Sequence, residues 1–158
     1  MAEREIESLR YDKVEYHDVL VDGETIFQGI IGRQIDMTVT IRPEDAADLY
    51  NKFAIWFAQD DTCHTSLSFH PSDLIMKIDR KFSGSRRAVI HQRRTKVNHQ
   101  NGALTFRMIL DRYSTEIFVN NGEQSITATI YTDQEADGIK FITDGKVRLD
   151  IVKYDLSK

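Results

Sequence analysis

Strict alternation of apolar and polar residues recurs along nearly the whole chain, and it narrows the available folds more than any other feature. Ile35, Met37, Val39 and Ile41 fall on one side of an extended strand, with Asp36, Thr38 and Thr40 on the other. Leu104, Phe106, Met108 and Leu110 repeat the pattern against Thr105, Arg107 and Asp111, with Ile109 out of phase. Leu74, Met76 and Ile78, then Ile126, Ala128 and Ile130, then Val147, Leu149 and Ile151 do the same. Successive side chains of a strand point to opposite faces, so each run predicts a strand with one face in a core, as antiparallel sheets produce. The longest apolar run, Phe53 to Ala58, predicts a buried strand and falls far short of the roughly 20 residues of a membrane span.

Turn chemistry separates these runs. Asp22-Gly23, Asn101-Gly102, Asn121-Gly122 and Asp144-Gly145 all accept the positive φ angles of tight hairpins, and each predicts one. The connections are too short for parallel crossovers. The expected fold is therefore all-β, a two-sheet antiparallel β-sandwich of the lectin-like jelly-roll type. Helix is scarce: Pro43 to Tyr50, with its leading proline and following acids, predicts one short helical turn as a connector. A chain of 158 residues has room for one domain. Residues 1–10 read as a linker or tether and residues 11–158 as the module it carries.

Composition removes several functions. The formal net charge of -4 argues against a nucleic-acid partner, whose phosphates would demand a basic surface. Between Lys77 and Lys96 lie Arg80, Lys81, Arg86, Arg87, Arg93 and Arg94, with Asp79 the only acid; this reads first as a solvated face and second as an anion or partner site. Cys63 is the only cysteine, which rules out an internal disulfide, suits a reducing compartment and reads as a half-buried strand-end residue rather than a catalytic thiol. His17, His64, His70, His91 and His99 show no spacing of zinc ligands, no glycine-flanked serine elbow is present, and neither a metal nor a cofactor is expected. Met1 to Ile6 lacks the apolar core of a secretory signal, so the expected location is cytoplasmic, with secretion the alternative if a longer parent carries its signal upstream.

The run from Leu110 to Glu123 carries the most specific information. Leu110 ends a strand, Asp111 to Ser114 make a polar turn, Glu116 to Val119 form the next strand, and Asn120 to Glu123 turn again. Short side chains in such a turn can satisfy its own backbone. This segment resembles the signature of the carboxy-terminal module of glycoside hydrolase family 32, which comprises invertases, levanases, inulinases and sucrose-6-phosphate hydrolases. Asp111, Arg112, Ser114, Glu116, Phe118, Asn120, Gly122 and Glu123 match the family pattern, while Tyr113 and Ile117 stand for a serine and a valine. Ser125 to Tyr131 resembles the family's next strand, with Thr132 where proline is usual. Met76 to Gly84, including Asp79 and Arg80, resembles an upstream strand and turn, and Glu5 to Arg10 resembles the linker from the catalytic domain.

The resemblance implies a retaining β-fructosidase whose two catalytic carboxyl groups sit on an amino-terminal β-propeller of the same polypeptide. The motifs that carry them in the family are absent from this sequence: Pro43 and Pro71 follow Arg42 and His70, so no Asp-Pro pair exists, and Cys63 follows Thr62, so there is no Glu-Cys pair. Asp79, Asp111 and Glu116 do not read as a substitute pair, because each aspartate precedes an arginine at a strand end, where ion pairs or turn hydrogen bonds keep it ionised. No catalytic residue is therefore assigned to this chain. Three roles remain. A structural module would stabilise the propeller and shape substrate access. A sugar-binding module would use exposed aromatics, with Trp56, Tyr113, Phe118 and Tyr131 as the stacking candidates, although core packing is the favoured reading of Phe118 and Trp56. An oligomerisation module would pair sheet edges in a homodimer. For the parent enzyme the resemblance implies hydrolysis of a terminal β-fructofuranosyl bond, with sucrose or sucrose-6-phosphate the favoured substrate.

Overall fold

A computed structural model of the chain describes residues 8–60, 63–79, 92–120, 122–129 and 136–156. Ten strands make up the described chain: β1 (Arg10–Thr25), β2 (Ile35–Pro43), β3 (Lys52–Gln59), β4 (Thr65–His70), β5 (Ile75–Asp79), β6 (Gln92–Lys96), β7 (Leu104–Leu110), β8 (Ser114–Val119), β9 (Gln124–Thr129) and β10 (Gly138–Leu156). All pairings are antiparallel, and the alternating runs from Ile35, Leu104 and Val147 sit where expected, whereas Leu74 stands in the turn before β5 and Ile130 lies outside the described residues.

The strands form two wings, β3-β4-β5-β6 and β2-β7-β8-β9, both hydrogen-bonded to β10. Residues 138–144 of β10 pair with β3, and residues 147–155 pair with β2. β1 follows β10 along its whole length, from Arg10 opposite Leu156 to Thr25 opposite Phe141. The inner faces meet in one core: Ile55, Phe57, Leu67, Phe69, Met76 and Ile78 from one wing pack against Met37, Val39, Phe106, Met108, Ile117 and Val119 from the other. Phe53 meets Phe106 across the interior edge-on, with ring centroids 6.1 Å apart. On the side away from β10 the edge strands approach, and Thr95 of β6 hydrogen-bonds Gln124 of β9 at 3.2 Å. A nearly closed sandwich results.

Two of the four Asx-Gly dipeptides differ from expectation. Asn101-Gly102 makes a tight two-residue turn, with Gln100 and Ala103 exchanging backbone hydrogen bonds at 3.0 and 2.9 Å, and Gly122 lies in the β8–β9 hairpin. Asp22-Gly23 and Asp144-Gly145 are not hairpins but irregularities inside β1 and β10. The sequence signal reports a positive φ, +92° at Gly23 and +108° at Gly145, and a bulge within a strand requires that as much as a turn does. Gly145 marks where β10 leaves one wing for the other. The corner is closed by backbone: Asn51 N–H donates to the carbonyl of Asp144 at 2.7 Å, and Glu44 N–H to that of Lys146 at 3.1 Å. A Cβ on Gly145 would lie 2.7 Å from the Tyr50 Cα.

The segment Pro43 to Tyr50 also differs. It connects β2 to β3 but forms no helix; Asp45 ties it into a single turn, its carbonyl accepting from Asp48 N–H at 3.1 Å and its carboxylate from Ala47 N–H at 2.9 Å. A side chain that bonds its own backbone competes with helix propagation.

Replacing Gly145 with alanine combines a forbidden φ with a backbone clash, and is expected to cost about 2–4 kcal/mol. Gly23→Ala meets open space and carries the φ penalty alone, so its cost is about 1 kcal/mol. Thermal melts of the two variants check this; equal losses would show that the Tyr50 contact does not set the corner.

Candidate functional site

The β7–β8 turn closes as its residues predict. Asp111 N–H donates to the Ser114 carbonyl at 2.8 Å, and the Asp111 carboxylate accepts from Arg112 N–H at 2.7 Å. The carbonyl of Arg112 in turn accepts from the Arg33 guanidinium at 2.9 Å. Asp111 is thus committed to its turn, Glu116 is half-buried on the outer face of β8, and Asp79 lies on β5 in the other wing. The three carboxylates are not brought together. Among the described residues no group of three His, Cys, Asp or Glu side chains could hold a metal ion.

The aromatic candidates are placed as follows. In β8, Ile117 and Val119 take the core side, which puts Phe118 outward and half-buried, opposite Arg107 and Ser125; the core reading of Phe118 is corrected by the phase of its neighbours. Trp56 likewise faces outward because Ile55 and Phe57 face in. The His64 ring stacks on it at 3.9 Å and 11°, and the Lys140 ammonium lies 5.2 Å from its centroid. Burial holds the His64 imidazole below its ordinary pKa, with the Asp79 carboxylate opposing and Lys140 adding to the depression. Tyr113 is 63% exposed in the β7–β8 turn of the other wing, so Trp56 and Tyr113 share no platform. Tyr131 and Arg80 lie outside the described residues, as does the basic run from residue 81 to His91. Of that cluster, Lys77 sits opposite Arg94 across the β5–β6 pair, and Arg93, Arg94 and Lys96 are exposed. Cys63 is half-buried just before β4, in a backbone loop closed with Asp60.

Sequence reasoning treated Asp36 only as the polar side of an alternation, yet it is 1% exposed and anchors an ionic cluster. Arg107 reaches its two carboxylate oxygens at 2.8 and 2.7 Å, and Arg10 adds a contact at 2.8 Å. The Arg10 guanidinium also covers the Tyr154 ring at 4.5 Å. The start of β1 is therefore fastened to the outer face of the second wing. A second network links Arg42 to Asp150 at 2.6 Å and to Asp18 at 3.2 Å; the Arg42 hydrogen bond holds the Asp150 carboxyl below its usual value.

Beside Arg42 opens a cleft of about 540 Å³. Thr40 and Thr105, cross-strand partners on β2 and β7, form its floor with hydroxyls 3.1 Å apart. Asn98, His99 and Gln100, from the link between β6 and β7, make one wall, and Asn120 and Glu123 of the β8–β9 turn make another. Asn120 adopts φ +50° and is fixed by its N–H to the Thr105 carbonyl at 2.8 Å and its side-chain amide to the Asn98 carbonyl at 2.9 Å. His99 is held too: its Nδ1 accepts from Gly102 N–H at 2.7 Å and its Nε2 donates to the Pro71 carbonyl at 3.0 Å, which fixes the orientation of the ring. These residues are far apart in sequence, so no local motif announces the cleft.

The opposite feature is apolar. The loop joining β1 to β2 spans the wings: Gly32 N–H donates to the Asp137 carbonyl at 2.9 Å, and the buried Lys153 ammonium reaches the Ile31 carbonyl at 3.0 Å and Asp155 at 3.1 Å. Ile31 is 46% exposed on this loop. Tyr11, itself half-exposed, pairs with Asp155, and Arg33 ties the loop to the turn that holds Tyr113. Tyr11, Ile31 and Tyr113 are thus exposed on three elements, the start of β1, the β1–β2 loop and the β7–β8 turn, that Asp155, Lys153 and Arg33 tie together.

A profile of the family described as "Glycosyl hydrolases family 32 C terminal" matches residues 5–157. The sucrose-6-phosphate hydrolase of Staphylococcus xylosus is 28% identical over 126 residues, which cover 79% of this chain and 25% of that protein. The chain therefore spans about a quarter of the curated relative it matches. The crystal structure of fructan 1-exohydrolase IIa from Cichorium intybus superposes with a TM-score of 0.82 at 16% identity, covering 100% of this chain and 38% of that one. Sucrose-6-phosphate hydrolase from Lactobacillus gasseri gives a TM-score of 0.74 at 19% identity, with coverages of 97% and 30%.

Removing the charge on Asp36 leaves two arginines around a neutral amide, so Asp36→Asn is expected to cost about 2–4 kcal/mol. Arg10→Ala leaves the Arg107 pair intact and is expected to cost about 1 kcal/mol. Chemical denaturation compares them, and similar losses would mean that the pair with Arg107 is not the core of the cluster.

Proposed function

The chain belongs to the family of C-terminal domains of family 32 glycosyl hydrolases, and from that premise we propose that it is a non-catalytic docking module for a β-fructosidase domain lying upstream. In this reading residues 1–10 are the linker and residues 11–158 the module. The partner is an amino-terminal β-propeller that hydrolyses a terminal β-fructofuranosyl bond in sucrose or sucrose-6-phosphate, in the cytoplasm. The module stabilises that domain and borders its substrate entrance.

One observation carries the proposal: Asp36 clamps Arg10 to the module, and the elements tied to the end of β10 carry Tyr11, Ile31 and Tyr113 as exposed side chains. Exposed apolar side chains on elements tied to one end of β10 suit a domain held close by its own chain, since tethering raises its effective concentration. The separation of Asp79, Asp111 and Glu116 supports the non-catalytic half of the reading.

A homodimer through β1 is disfavoured. Among the described residues β1 pairs with β10 alone, yet its length is broken by positive φ at Asp12 and Asp18 and by three register shifts. Bulges and charges of this kind keep edge strands from pairing.

In the parent polypeptide, Ile31→Ser combined with Tyr113→Ser should lower the melting temperature of the upstream domain by about 3–6 °C. The 158-residue chain alone should keep its own melt after the same changes and release no fructose from sucrose, inulin or levan. An unaltered parent melt, or fructose released by the chain alone, would refute the proposal.

A further inference from the structure

We propose that the cleft floored by Thr40 and Thr105 is a binding site for a neutral sugar, engaged through its hydroxyl groups. Its volume of about 540 Å³ lies within the roughly 300–1,000 Å³ of small-molecule sites. Its charge excludes an anion as the preferred ligand. The Arg42 guanidinium on one wall is already committed to Asp150 and Asp18, and Glu123 adds a carboxylate on another.

What the cleft offers instead is neutral hydrogen-bonding capacity. Thr40 and Thr105 share one hydrogen between them, which leaves the second hydroxyl hydrogen and further lone pairs available. The amides of Asn98 and Gln100 and the carboxylate of Glu123 are exposed at the rim. Amides and hydroxyls both donate and accept, as sugar hydroxyls do, and a carboxylate can accept from two neighbouring hydroxyls at once. The frame is set in advance, because Asn120 and His99 each spend their polar atoms on backbone groups of the surrounding loops.

The ligand class follows from what the lining lacks. Among the described residues no Trp, Tyr or Phe lines the cleft, so they offer no platform for the flat apolar face of a pyranose ring. A fructofuranosyl unit carries substituents on both ring faces and depends on its hydroxyls, which matches this lining. The choice of a fructosyl sugar rests on the proposed function, whereas the cleft and its preference for a neutral polyol do not. Exposed hydrogen bonds contribute little each, so the dissociation constant is expected on the order of 1 mM.

The test is a titration of the 158-residue chain, followed by amide chemical shifts, with 1-kestose, sucrose, glucose and inorganic phosphate in parallel. Saturable shifts at Thr40, Asn98, Thr105 and Glu123 with 1-kestose or sucrose are expected. They should weaken at least about five-fold in Glu123→Ala and in Thr105→Val, with the thermal melts of both variants confirming that the fold is kept. If Thr105→Val melts early, Glu123→Ala, altered at an exposed position, decides alone. The proposal is overturned by phosphate binding at these residues more tightly than sugar, by sugar shifts centred on Trp56 or Tyr113, or by no saturable change up to about 50 mM sugar. Glucose binding as well as 1-kestose would leave the neutral-sugar site standing and overturn its fructosyl preference, and with that preference the part borrowed from the proposed function. The docking proposal is tested at Ile31 and Tyr113, outside this cleft, so the two can fail separately.

Discussion

Everything in this fold hangs on β10 changing wings at Gly145. One continuous strand supplies a pairing edge to β3 before that residue and to β2 after it, and β1 shadows it through the bend. The two four-stranded wings are therefore registered to each other by covalent connection, and packing such as that of Phe53 on Phe106 follows from the register. Backbone donors from Asn51 and Glu44 fill the carbonyls exposed at the bend, and Tyr50, pressed against Gly145, buries its ring and donates its hydroxyl to the Gly102 carbonyl at 2.8 Å. Burial raises the Tyr50 pKa well above its ordinary value and keeps that donor protonated. The corner of β10 is thus linked to the turn that borders the polar cleft.

Local pattern was readable in the sequence where local pattern decides. The phase of Ile35 to Ile41 and of Leu104 to Leu110, the turn at Asn101-Gly102 and the self-satisfied turn at Asp111 all depend on neighbours a few residues away. Asp22-Gly23 and Asp144-Gly145 misled because a left-handed φ is common to hairpin turns and strand bulges, and only the long-range pairing of β1 with β10 distinguishes them. Phe118 and Trp56 were read as core on side-chain type, whereas the phase of their flanking residues places them on outer faces.

The site was less legible than the fold for the same reason. Thr40, Asn98, Thr105 and Glu123 meet only after β2, β7 and the β8–β9 turn are assembled. Asp36 looked like any polar residue of an alternating strand until Arg10 and Arg107 closed on it from both sides. The chain consequently presents two unlike features: exposed apolar side chains on elements tied to the end of β10, suited to a tethered protein domain, and a polar cleft suited to a small hydroxylated ligand. The sequence carried the family resemblance in Leu110 to Glu123, and that segment contributes to both, through Tyr113 at one end and Asn120 and Glu123 at the other.

The docking role is tested most directly by amide hydrogen exchange, comparing the 158-residue chain alone with the same residues inside the parent polypeptide. Slower exchange in the parent over residues 26–34 and 111–114, with the outer face of β3 to β5 unchanged, is the predicted result. Equal exchange at those segments in both forms, or new protection centred on β3 to β5, would contradict it.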